Sequence, residues 1–150
     1  MKKVVLLSSA LALLVITSVN SLKIYSEQEA IKDLLMTGYV HGAFNELNPE
    51  AMEKTFHKDF AIFSAGEDGE IRRYPIANWV ANTKRTKEDP NFNPEDNKWG
   101  HKFTNIDITG NSASVKLELI KDGELVYTDY LSLLKFDEDW KVVAKVYYQH

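Results

Sequence analysis

No cysteine occurs in this chain. Disulfide stapling is therefore excluded, and so is a lipid anchor on cysteine; the fold must hold by its own core. Positive charge is also scarce: 18 Lys and Arg stand against 22 Asp and Glu, a formal net charge of −4. That field repels phosphate backbones, and the short basic pairs Arg72-Arg73 and Lys84-Arg85 do not offset it, so no nucleic acid partner is expected. No Gly-x-Gly-x-x-Gly, phosphate loop, Gly-x-Ser-x-Gly or calcium-loop spacing is present. The four histidines, at 41, 57, 101 and 150, form no close-spaced pair. His41 and Glu46 lie five apart, a spacing that does not align on an α-helix. No metal and no cofactor is expected.

What the chain does have begins at its start. Lys2 and Lys3 precede an uncharged, mostly apolar run from Val4 to Val19, then a small-residue exit at Val19-Asn20-Ser21. That is the layout of a secretory signal peptide. As a helix, the run would cover about 24 Å, short of the ~30 Å hydrocarbon core of a bilayer. Residues 1–21 are therefore read as a cleaved leader and 22–150 as one domain. The mature protein is expected to be periplasmic or secreted, with no stable membrane anchor. Losing Lys2 and Lys3 takes its formal charge from −4 to −6.

The domain reads as helices first and strands afterwards. Ser26 is placed to cap a first helix, with Glu29 completing a capping box. Ile31, Leu34, Leu35, Tyr39 and Phe44 give that helix one apolar stripe. Gly38 and Gly42 suit a close backbone approach. Asn48-Pro49 caps a second helix, Phe60 to Ser64 reads as a strand, Ile71 to Tyr74 as a short return strand, and Pro75 to Lys84 as a third helix. Residues 87–98, rich in Asp, Asn and Pro, read as a solvated loop or lid. Alternation at 113–119 and the Asp122-Gly123 turn mark antiparallel strands, continued by Leu125 to Phe136 and Trp140 to Tyr148. This order predicts an α+β roll with helices in the concavity of a curved antiparallel sheet.

Four stretches carry a family likeness: Tyr39-Val40-His41-Gly42-Ala43-Phe44, Met52 through Phe60, Tyr127 through Lys135, and Asp139 through Tyr147. With their order, they make 27–149 resemble the NTF2-like or SnoaL-like superfamily. More narrowly the chain is similar to exported bacterial proteins of the putative lumazine-binding family. The resemblance implies a cone-shaped NTF2-like (cystatin-like) roll and a homodimer through the sheet face. It leaves chemistry open, because one fold hosts isomerases, dehydratases, cyclases and proteins without known activity.

Enzymes of that resembling shape place an Asp or His base with a Tyr donor inside the cone. Here the candidates are His57, Asp59 and Tyr130, with Asp129 as an alternative to Tyr130. Asp129 and Tyr130 point to opposite faces of one strand, so only one looks inward. Tyr39, Phe63, Trp79, Trp99, Tyr130 and Trp140 are the candidate pocket residues, suited to a small hydrophobic or heteroaromatic ligand. Both faces of the last strands are apolar, which suggests a second subunit. Three readings stand. The first is a non-catalytic small-molecule binder. The second is an isomerase- or dehydratase-like enzyme. The third is an interaction dimer whose pocket is filled by its own side chains.

Overall fold

The computed structural model describes residues 22–150; the leader read at 1–21 lies outside them. The described residues fall into two units, 22–32 and Asp33–His150. In the first, 22–32 is helical. Ser26 lies inside that helix, where its Oγ donates to the Lys23 carbonyl at 2.8 Å. It is therefore not the cap. Glu29 pairs with Lys32 at 2.7 Å instead of closing a capping box.

The second unit contains the rest of this helix (α1), which is α-helical to residue 35 and π-helical over Met36–Asn45. Helix α2 (Pro49–Thr55) runs without a loop into strand β1 (Phe56–Ala65). Then come β2 (Ile71–Pro75), α3 (Ile76–Lys87), a short 3-10 turn at Pro94–Asn97, β3 (Gly100–Thr109), β4 (Ser112–Lys121), β5 (Glu124–Phe136) and β6 (Asp139–Gln149).

Local chemistry accounts for most boundaries. Asn48 accepts from the Ala51 amide at 3.1 Å, with Pro49 at the first helical position. Asp122 and Gly123 both adopt positive φ, 53° and 85°, the geometry of a tight hairpin matched to strand twist. Gly38 is where α2 presses on α1. A Cβ there would overlap Thr55 and lie 2.6 Å from the Ala51 carbonyl oxygen.

The π-helical segment alters what faces what. Its bonds join residues five apart, as in Glu46 N to His41 O at 2.8 Å. His41 and Glu46 therefore meet, Nδ1 to Oε1 at 3.4 Å, although an α-helix would misalign them. Tyr39 and Phe44, also five apart, come edge to face at 5.3 Å.

The expected roll with a curved antiparallel sheet is corrected by the strand order. The six strands run β2-β1-β6-β5-β4-β3, and β2 and β3 are both edges, so the sheet is open and does not close into a cone. It is also mixed. β3 to β6 form an antiparallel meander, but β6 pairs with β1 in parallel. The fold is α+β, with helices against that sheet. A parallel pair needs a long crossover, supplied here by everything between β1 and β6.

The inner face of β4 is Ala113, Val115, Leu117 and Leu119, all buried. That of β5 includes Asp129, Leu131 and Leu133. In β6, Ser132 pairs with Ala144 but Leu133 with Val142, so Val143 is an extra residue. This bulge switches the parity of the strand. Trp140 and Val142 face in before it and Lys145 faces in after it, all three buried. A bulge at Thr104 in β3 likewise explains the loose alternation of 99–109. Among the described residues no helix is long and apolar enough to cross a membrane.

Candidate functional site

A cavity of about 460 Å³ lies beside β1, β2, α3 and the ends of β5 and β6. Its apolar wall is Phe44, Ile62, Trp79, Tyr127 and Tyr147, and Arg72, Arg73 and Tyr74 border it from β2. Phe44 arrives from the end of the π-helical segment. Trp79 arrives from the first turn of α3, one turn after Pro75 starts that helix. Behind this wall the rings continue into the core. Tyr39, Phe44 and Phe56 contact Trp79 at centroid separations of 6.0, 6.2 and 5.4 Å.

At the base sits Lys145, whose side chain is 6% exposed. Its Nζ lies 2.9 Å from Asp129 Oδ1 and donates to Tyr39 Oη at 2.5 Å. The Tyr39 hydroxyl donates in turn to Asp129 Oδ2. Four rings surround the ammonium: Tyr39 at 5.0 Å, Tyr147 at 5.3 Å, Trp79 at 5.7 Å and Phe44 at 5.8 Å. Negative ring faces add to the carboxylate in holding a cation there. Burial draws the Lys145 ammonium below its ordinary range, and Asp129 opposes that shift. Burial pushes the Tyr39 phenol well above its ordinary range, and the adjacent Asp129 charge pushes the same way. Tyr39 is therefore a neutral donor at physiological pH.

The residues singled out from sequence disperse. Tyr39 is fully buried behind the cavity, Trp79 lines it, and both belong to one ring cluster. Trp99 is edge to face with Phe44 at 5.3 Å and stacked on Tyr127 at 5.9 Å, so it backs two wall residues. It is held there by Asn45, which accepts from the Trp99 amide at 2.8 Å and donates to its carbonyl at 3.3 Å. Asn97 donates to the Phe44 carbonyl, so the end of the 87–98 segment is tied to α1. Phe63 alternates with the lining residues Ile62 and Ser64 and points to the other face of β1. Trp140 is buried at the far end of β6 from Tyr147.

His57, Asp59 and Tyr130 are not brought together in the cavity. His57 stacks on Phe136, 5.0 Å between centroids, and its Nδ1 is 3.6 Å from Asp59. The Asp59 side chain is 69% exposed, and Lys58, 2.7 Å away, holds its carboxyl below the usual range. Tyr130 is half exposed on the outer face of the sheet, beside a second concavity of about 250 Å³. Asp129 is the inward partner of that pair of strand residues.

The Lys145–Asp129–Tyr39 group was not read from sequence. One signal was available: an acid on the strand face of Tyr127, Leu131 and Leu133. Lys145 gave none, because the bulge that turns it inward has no local signature. Among the described residues no group of three His, Asp or Glu is placed to hold a metal ion.

The sequence profile of a family described as putative lumazine-binding matches residues 26–148. An NTF2-like protein of unknown function from Shewanella baltica is 26% identical, with 84% of this chain and 95% of that chain covered and a TM-score of 0.67. A second, from Methylobacillus flagellatus, is 26% identical over 83% and 93% of the two chains at a TM-score of 0.60. A third, from Silicibacter pomeroyi, is 16% identical over 85% and 98% at 0.64, a likeness of fold alone. No curated protein matches the chain.

Proposed function

The chain belongs to the putative lumazine-binding family of NTF2-like proteins, and from that premise we propose that it binds a small, flat, apolar or heteroaromatic molecule outside the cytoplasm. The observation that carries this reading is the ring-walled cavity of about 460 Å³, a size within the ordinary range of small-molecule sites. Its volume also weighs against a core filled entirely by its own side chains. Binding is favoured over turnover by the state of the inward acid. Asp129 and Tyr39 are both 0% exposed and are engaged with each other and with Lys145. A general base needs hydrogen-bond reach to a substrate proton, and this carboxylate is shielded from the cavity.

The outer face supports a second element of the proposal, a homodimer. Tyr130, Leu134, Phe136, Val146 and Tyr148 are between 38% and 63% exposed on β5 and β6. Tyr130 pairs with Val146 and Thr128 with Tyr148 in register, so the exposed rings lie on neighbouring strands. A contiguous apolar patch of this kind suits a second copy of the same sheet.

Native mass spectrometry of the protein purified from its host's periplasm or medium tests both parts. The expected spectrum is a dimer carrying extra mass that disappears on denaturation. An apo protein with no thermal shift toward any member of a planar aromatic panel would overturn the binding reading. A monomer at micromolar concentration would overturn the dimer.

A further inference from the structure

The cavity is opposite in sign to the molecule that contains it. The full chain carries a net charge of −4, yet the basic residues lining the cavity are Arg72, Arg73 and Lys145, with no Asp or Glu among the lining residues. Lys145 is locally matched by Asp129 at 2.9 Å. The surplus therefore sits on Arg72 and Arg73. Both belong to β2, which is an edge strand paired to β1 alone, with Arg73 opposite Phe63 and Arg72 opposite Ser64. Successive side chains alternate across a strand, so Arg72, opposite Ser64, shares the cavity face of Ile62 and Ser64, whereas Arg73, opposite Phe63, starts from the other face and borders the opening only from the strand edge.

Neither arginine forms an ion pair among the described residues. Arg73 donates to the backbone carbonyl of Asp59 at 3.4 Å, while the Asp59 carboxylate is taken by Lys58 at 2.7 Å. Both arginines are exposed, so their charge is available at the mouth. A guanidinium presents a planar fork of donors that matches a carboxylate or an ionised ring edge. Immediately inward of that fork are Trp79, Tyr127 and Tyr147. A flat body would slide between the rings while its charged edge stayed at β2.

We infer that the ligand is a planar conjugated acid, an aromatic or heteroaromatic body bearing one negative charge, held by the rings at its body and by Arg72, with Arg73 next to it on the edge strand, at its charge. This deepens the binding reading and rests on it.

The test uses a matched pair of fluorescent probes that differ by one charge: anilinonaphthalene sulfonate and its uncharged parent, phenylnaphthylamine. At low salt the sulfonate should bind at least about tenfold more tightly, in line with a charge-assisted hydrogen bond. Raising the ionic strength to about 1 M, where the Debye length is about 3 Å, should shrink that advantage. The Arg72→Ala, Arg73→Ala double variant should lose the preference, with the sulfonate's affinity falling about tenfold relative to that of the neutral probe. Ser64→Trp, placed to fill the cavity, should abolish both signals; Tyr147→Ala serves if that variant does not fold. Equal affinity for the two probes, or a preference that survives removal of both arginines, overturns the acid inference while the cavity stands as a binding site. Signals for both probes that ignore Ser64→Trp and Tyr147→Ala overturn the cavity reading, and this inference with it.

Discussion

Replacing Asp129 or Lys145 singly should be far more damaging than replacing both. Asp129 is 0% exposed and the Lys145 side chain 6%, with 2.9 Å between Oδ1 and Nζ. Asp129→Leu leaves a buried ammonium without its counter-charge, and leaves the Tyr39 hydroxyl without its acceptor. Lys145→Met leaves a buried carboxylate with one donor. Removing one member of a buried ion pair costs about 3–5 kcal/mol. For a chain of this size, about 3–4 °C of melting temperature corresponds to 1 kcal/mol, so each single variant should melt about 10–20 °C lower. In the double variant the two apolar side chains can pack on the surrounding rings. Such replacements are commonly neutral, or stabilising by about 1–4 kcal/mol. The assay is thermal and urea unfolding of all four proteins at neutral pH, read as a double-mutant cycle. The reasoning is refuted if each single variant loses about 0.5 kcal/mol or less, as a surface change would, and the two losses simply add.

Gly38→Ala should destabilise, by about 1–3 kcal/mol or more, because the added methyl meets the α2 backbone at Ala51 and not only a side chain. Gly42→Ala, whose nearest neighbour would be at 3.2 Å, should be much milder, and melting curves of the two variants in the reverse order would contradict the close approach. Burial, reinforced by His41, holds the His101 imidazole below its ordinary 6.5. The folded state then binds fewer protons than the unfolded one, so this contribution is present above about pH 6.5 and is lost as pH falls through the folded value. His101→Asn should flatten the decline in melting temperature on acidification, and an unchanged decline would remove His101 from the account. Tyr39 has the opposite sign. Its raised phenol contributes stability that is present below pH 10 and lost as pH rises above it, so Tyr39→Phe should show a smaller alkaline loss than the unmodified protein in melts across that range.

Several parts of the molecule were legible one segment at a time. Asn48-Pro49 starts a helix because a side-chain oxygen and a missing amide solve a local problem. Asp122-Gly123 turns the chain because both residues tolerate positive φ. The alternation at 113–119 buries one face because a strand's period is two. In each case the interactions that decide the conformation lie within a few residues. The π-helical segment, the mixed open sheet and the polar group under the cavity were not legible in this way. Ser26 and Glu29 formed a good capping pattern, yet the helix runs through them. A local pattern offers a helix start and does not forbid continuation. His41 and Glu46 meet, and Tyr39 and Phe44 come edge to face, because α1 widens its turn to the five-residue spacing of a π-helix.

The sequence by itself determined the order of helices and strands, the main turns, the acidic balance and the inward run of β4, all from short-range sterics and apolar periodicity. Only the tertiary structure decided that β6 lies between β1 and β5, parallel to one and antiparallel to the other. Only it decided that the extra residue at Val143 turns Lys145 inward to meet Asp129 and Tyr39, 106 residues away in the case of Tyr39. Pairing and bulge position are set by which strand lies alongside, and that is a property of the folded whole rather than of any segment.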